Sequence, residues 1–81
     1  MLETLRTILL QKGYLENLEG QFKKSFTNKY GEIVEKSEVY LVGKRGLLLV
    51  NTLLDKDGCI ITSNEDRYII SQVDDFYNIL K

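Results

Sequence analysis

The feature that most constrains the fold is a series of short β-rich runs in the second half of the chain. The runs cover residues 39–42, 47–54, 59–62 and 67–70. Turn residues separate them, and short connections join neighbouring strands in antiparallel orientation. The sequence therefore predicts a four-stranded antiparallel β-meander, whose first strand has room to begin earlier, near Ile33.

Three turn signals set the expected pairing of these strands. They are GKRG at 43–46, DKDG at 55–58 and NED at 64–66. Glycine supplies the positive φ that tight hairpins need. With a two-residue tip in the first hairpin, Val42 faces Leu47. With the second signal as a four-residue loop, Leu54 faces Cys59.

Helices are predicted at both ends of the chain. The N-terminal apolar residues at helical spacing are Leu2, Leu5, Ile8 and Leu9. Gly13 is a typical C-terminal stop, so this helix should cover residues 2–12. Near the other end, Ser71 and Asp74 have the spacing of a capping box, which places a helix from Gln72 onward. Its apolar stripe is Val73, Phe76, Tyr77 and Leu80. We expect that stripe to pack on the sheet.

Residues 14–30 admit two interpretations. Their apolar residues at helical steps are Leu15, Leu18, Phe22 and Phe26. A favourable Glu19–Lys23 pair adds to the case for a second helix, although Gly20 would cost it about 1 kcal/mol relative to Ala. The alternative is a strand at residues 21–27 with both phenylalanines on one face. With the helix preferred, the expected fold is one compact α+β domain over residues 1–81: helix, second helix, four-stranded antiparallel meander, C-terminal helix.

Both faces of the predicted sheet are apolar, which is unusual for an antiparallel meander. The terminal helices can cover one face. The other could be covered by residues 14–30, by closure of the sheet into a barrel, or by another chain. We expect a two-fold homodimer. Its predicted surface, which is also the predicted partner surface, consists of Val39, Leu41, Leu48, Val50 and Ile61.

The composition argues against catalysis. The chain has no histidine and a single cysteine, Cys59. The commonest general base, the usual zinc ligands and an intrachain disulfide are therefore absent. We expect no enzyme, no metal site and no cofactor. Cys59 adjoins Ile60 and Ile61, so we expect it to be buried.

A cluster of basic residues supports an alternative function. Lys23, Lys24 and Lys29 alternate with aromatic residues, an arrangement typical of binding to single-stranded nucleic acid. Lys44 and Arg45, at the tip of a hairpin, could extend this surface. The formal net charge is nevertheless −1, so the chain lacks the strong positive charge of a dedicated nucleic-acid binder.

The preferred interpretation is a small non-enzymatic protein that binds or regulates another protein, or binds itself. The longest apolar run covers residues 47–50, too short to span a membrane. One unpaired cysteine and no export signal favour a reducing compartment, so we expect a cytoplasmic location. Alanine and proline are missing, as AT-rich coding would produce, and a viral or plasmid origin would fit that composition.

Overall fold

A computed structural model describes residues 2–18, 20–43, 45–71 and 73–80. Within these ranges, two helices flank five strands. In chain order the elements are α1 (Leu2–Gln11), β1 (Leu15–Leu18), β2 (Gln21–Thr27), β3 (Ile33–Val42), β4 (Gly46–Leu54), β5 (Ile60–Ile69) and α2 (Val73–Ile79). The strands form one sheet in the order β1-β2-β3-β4-β5, and every neighbouring pair is antiparallel. The α+β class and the antiparallel meander are confirmed, but the predicted four strands are in fact five.

The second helix predicted in residues 14–30 is wrong, and the strand alternative for residues 21–27 is correct. Gly20 has a φ of +76° and lies in the turn that joins β1 to β2. This left-handed conformation suits glycine and ends any helix. Phe22, on β2, is 2% exposed. The sequence pattern placed it on the apolar stripe of a helix, but it is a buried residue of a strand.

Residues 64–66 do not turn the chain as predicted. They continue β5, and Asn64, Glu65 and Asp66 pair with three successive residues of β4. All three are exposed. β5 is an edge strand, so one of its edges is exposed to water and tolerates polar residues that would otherwise indicate a turn. Charged residues on such an edge discourage pairing with strands of other molecules.

The predicted register of the first hairpin is wrong by one residue. Val42 pairs with Gly46, and Leu41 pairs with Leu47. The turn uses Gly43 with a φ of +65°, so Gly46 is released from the turn into the ladder. A one-residue slip moves every side chain of a strand to the other face. The faces predicted from the sequence were therefore exchanged along β3.

The second hairpin also departs from its predicted pairing. Leu54 pairs with Ile60, not with Cys59, and an irregularity follows at Leu53. The Asp55 side chain accepts hydrogen bonds from the backbone N–H groups of Asp57 and Cys59, each at 2.9 Å. This Asx turn lengthens the loop and shifts the register. Cys59 is exposed, so its predicted burial is wrong.

The N-terminal helix is confirmed and ends as expected at Gly13. Gly13 has a φ of +91°. The Tyr14 N–H donates to the Leu9 carbonyl at 3.0 Å, and the Gly13 N–H donates to the Leu10 carbonyl at 3.1 Å. This is a Schellman motif, which satisfies the last carbonyls of the helix. It also turns the chain directly into β1.

One face of the sheet, which we call the covered face, is buried under the two helices. The buried apolar cluster comprises Leu5, Ile8, Leu9, Tyr14, Phe22, Val39, Leu47, Leu49, Ile70, Phe76 and Leu80. The confirmed C-terminal helix contributes Phe76 and is followed by Leu80, whereas its predicted start at Gln72 lies outside the described residues. Tyr77, also assigned to the stripe, is 50% exposed.

The opposite side of the sheet is the open face. Side chains alternate along a strand, so the neighbours of the buried residues point away from the helices. Among the described residues, none of the apolar side chains on this face is buried. The polar residue Thr52, which is 8% exposed, is buried on this face. Within the same described ranges, neither helix is long and apolar enough to cross a bilayer.

Candidate functional site: the open face of the sheet

The open face is most apolar at the end nearest the β3–β4 turn. Val42 and Ile69 both pair with Gly46, one on each side. Their side chains are 60% and 85% exposed. Tyr40 and Leu48 pair with each other two residues further along the strands. We call Tyr40, Val42, Leu48 and Ile69 the apolar end.

A depression lies beside Gly46 within the apolar end. Its volume is about 350 Å³. The lining residues are Val42, Gly46, Leu47, Leu48, Arg67 and Tyr68. A Cβ atom on Gly46 would lie 2.5 Å from the Val42 carbonyl oxygen, so the close approach of β3 requires glycine here. The result is a hollow lined mainly by apolar groups, with Arg67 at its wall.

A row of charged residues crosses the open face next to the apolar end. Lys23 on β2 pairs with Glu38 on β3, which pairs with Val50 on β4, which pairs with Glu65 on β5. We call these four residues the charged row. Its basic residue lies toward one edge of the sheet and its acidic residues lie at the centre and at the other edge.

Tyr40 links the apolar end to the charged row. Its hydroxyl donates a hydrogen bond to the Glu38 carboxylate at 2.5 Å. That hydrogen bond, together with burial and the negative charge of Glu38, raises the pKa of Tyr40 above its usual value of 10.0. The phenol therefore stays neutral at physiological pH and holds the carboxylate in place.

The five residues predicted as a partner surface do not lie together. Val39 is 0% exposed and Leu41 packs against the buried cluster, so both belong to the covered face. Leu48 and Val50 lie on the open face, paired with Tyr40 and Glu38. Ile61 is 65% exposed, near the opposite end of β5. The register error explains the separation of the two β3 residues from the two β4 residues.

The basic residues predicted to contact nucleic acid are also dispersed. Lys23 and Lys24 are consecutive on β2 and point to opposite faces. Lys29 lies in the β2–β3 turn and Arg45 in the β3–β4 turn, roughly 30 Å apart at about 3.3 Å per residue along β3. Lys44 lies outside the described residues. The structure does not bring the four described residues into one patch.

Aromatic rings accompany two of these lysines. The Lys24 ammonium lies 5.7 Å from the Tyr14 ring centre and 4.9 Å from that of Phe26. The Lys29 ammonium lies 5.1 Å from the Tyr30 ring centre. These are cation–π distances. They show the lysines stacked on the chain's own rings instead of leaving those rings open to bases.

Polar groups on the covered face form a structural contact. The Tyr14 hydroxyl and Ser37 Oγ lie 2.7 Å apart, and Ser37 is 0% exposed. The Asn51 side-chain oxygen nearby is buried and has no hydrogen-bond partner among the described residues; Asn51 pairs with Ser37 in the ladder. Among the described residues, no group of three or more acidic, cysteine or histidine side chains has the arrangement of a metal site.

Sequence reasoning missed Gly46 and Ile69 as parts of a candidate site. A glycine inside a strand often marks the close approach of another backbone, and that signal was available. The GKRG pattern assigned Gly46 to the turn instead. No known protein family matches the chain, and neither a curated protein nor a solved structure is significantly similar to it.

Proposed function

We propose that this chain is a small non-enzymatic protein that acts by binding another protein chain through the open face. The observation that carries this proposal is the exposure of Val42 and Ile69 beside the depression at Gly46. Contiguous apolar surface of this kind is uncommon on a monomeric soluble protein and is typical of interaction sites. Apolar residues bordered by charged ones, as the apolar end is by the charged row, are also typical of a protein–protein interface.

The alternative function, binding of nucleic acid, has weaker support. It relies on Lys23, Lys24, Lys29, Lys44 and Arg45. A phosphate backbone is held by basic groups that act together on one surface. The described members of this set are divided between two faces and two ends of the sheet, and the formal net charge is −1.

The proposed setting is the cytoplasm. Cys59 is an exposed free thiol. An exposed unpaired thiol is compatible with a reducing compartment and is prone to oxidation outside one.

A double variant tests the proposed binding face. Val42→Lys with Ile69→Lys places two charges on the apolar end, at positions already exposed. Leu10→Lys is the matched control, because Leu10 is 50% exposed on α1, outside the open face. Association is measured by sedimentation of the purified proteins and by quantified co-purification of tagged protein from its source cells.

We expect the double variant to remain folded by circular dichroism and to lose the associations that wild type makes, while the control keeps them. The proposed function is wrong if wild type makes no association by either method. It is also wrong if the double variant and the control associate equally well.

A further inference from the structure

We propose that a second copy of this chain covers the open face. The two-fold axis of this dimer lies between the two sheets, parallel to the strands and above the gap between β3 and β4. This inference rests on the proposed function and names the partner. The axis places β3 of one copy over the partner's β4, and β2 over the partner's β5. Residues that pair with one another across the strands form a row of the open face. Each row then contacts the same row of the other copy, with the order of the strands reversed.

The charged row is self-complementary in this arrangement. Lys23 lies over the partner's Glu65, and symmetry creates the contact twice. Glu38 lies over the partner's Val50, so no acidic residue of the row meets another. Opposite charges across an interface favour the correct partner and register. The uneven distribution of charge, basic toward β2 and acidic toward β5, is the property that this axis uses.

The apolar end is self-complementary in shape. Tyr40 lies over the partner's Leu48. Val42 lies over the partner's Gly46, where the depression of about 350 Å³ has room for an isopropyl group. An apolar side chain that fills a hollow on the partner contributes binding energy by removing apolar surface from water. The partner's side chain thereby lies beside the glycine that the close approach of β3 requires.

The area of the open face fits a stable dimer. Four strands at about 4.8 Å and eight residues at about 3.3 Å give a flat footprint of roughly 500 Å². Side-chain relief increases the accessible area toward the roughly 800 Å² per partner of a standard interface. Two sheets packed face to face with nearly aligned strands are also a common arrangement, with the inner side chains interdigitated.

A two-fold axis across the strands is a poorer solution. Centred between the Tyr40 and Glu38 rows, it pairs Arg67 with the partner's Glu65. It also places Val42 and the rest of its row over the polar row of Lys36, Thr52 and Ser63. Centred on the charged row, it opposes Glu38 to the partner's Glu38. The axis along the strands avoids both faults, because Val42 then meets the partner's Gly46 and Glu38 meets the partner's Val50.

Charge reversal tests this arrangement. Lys23→Glu or Glu65→Lys should each weaken self-association about tenfold or more, because each variant creates two like-charge contacts. The double variant K23E/E65K should restore the dissociation constant to within about threefold of wild type, since coupled residues compensate. The control E65K/R67E should not restore it. Dissociation constants come from sedimentation equilibrium of purified proteins shown to be folded by circular dichroism.

Recovery in K23E/E65K, without recovery in E65K/R67E, supports the arrangement. A dimer that the first double variant fails to restore overturns it, and recovery in E65K/R67E overturns it in favour of an axis across the strands. A wild-type protein that sediments as a 9.4 kDa monomer at all concentrations also overturns it. In that last case the proposed function is judged separately, by whether the lysine variants on the apolar end release a different protein.

Discussion

The covered face and the open face belong to one sheet, yet they have very different surroundings. On β4, Leu47 and Leu49 are 2% and 4% exposed under the helices, whereas Leu48 between them is only half-buried. Ile69 on the open face is 85% exposed. The side chains are chemically alike, so the difference comes from the two helices, which suffice for one face. An apolar face that no described residue covers is the feature that the proposed dimer explains.

Truncation of neighbouring leucines should give the largest contrast between the faces. Leu49→Ala removes a buried side chain and leaves a cavity, so it should lower the free energy of unfolding by about 2–5 kcal/mol. Leu48→Ala removes a half-buried one and should cost about 1 kcal/mol in the monomer. Urea denaturation at low protein concentration measures both. Equal costs would mean that the two faces are equally buried and would remove the basis of the comparison.

Gly46→Ala tests the depression on the open face. The new Cβ would lie 2.5 Å from the Val42 carbonyl oxygen, and relief of that overlap should cost about 1–3 kcal/mol. Gly31→Ala is the comparison, because Gly31 has a φ of +81° with open space around it and should cost about 1 kcal/mol through φ alone. Thermal denaturation ranks the two. A Gly46→Ala protein as stable as wild type would show that β3 does not approach so closely.

A polar contact on the covered face should have an intermediate effect. Ser37→Ala removes the buried hydrogen bond with the Tyr14 hydroxyl and should cost about 1–2 kcal/mol. A double-mutant cycle with Tyr14→Phe isolates the coupling between the two groups. The expected coupling is favourable, and a value of zero would show that the contact contributes nothing to the covered face.

The polar contact on the open face should have the smallest effect and should depend on pH. The pKa of Tyr40 is raised in the folded protein by its hydrogen bond to Glu38, by burial and by the charge of Glu38. Its contribution to stability is therefore present below about pH 10 and is lost as the pH rises through the folded-state pKa. Tyr40→Phe should lose less stability than wild type in alkaline solution. Identical pH profiles by urea denaturation would contradict the assigned cause.

Patterns confined to one element allowed correct predictions from the sequence. The helix at the N-terminal end depends on the spacing of Leu5, Ile8 and Leu9 and on Gly13, all within one segment. The C-terminal helix depends in the same way on Phe76 and Leu80, which are 0% and 5% exposed. Local periodicity reports directly on these elements, because each needs only one apolar stripe against the sheet.

Features that depend on pairing could not be predicted in the same way. Residues 21–27 satisfy both a helical step and a strand alternation, and only their pairing with β3 decides between them. The register of the first hairpin depends on whether Gly43 or Gly46 belongs to the turn, which the order of letters does not specify. That single choice exchanged the faces of β3. It placed Val39 and Leu41 in the predicted partner surface.

The most direct test of the account is a thiol-labelling measurement on the open face. In a Cys59→Ser background, Ile69→Cys places one thiol at the apolar end, and Leu10→Cys places one on α1 as the matched control. We expect labelling of the Ile69→Cys protein to slow as its concentration rises, because a second copy covers the site, whereas labelling of the Leu10→Cys protein should keep a constant rate. Equal, concentration-independent rates at both positions would contradict this expectation.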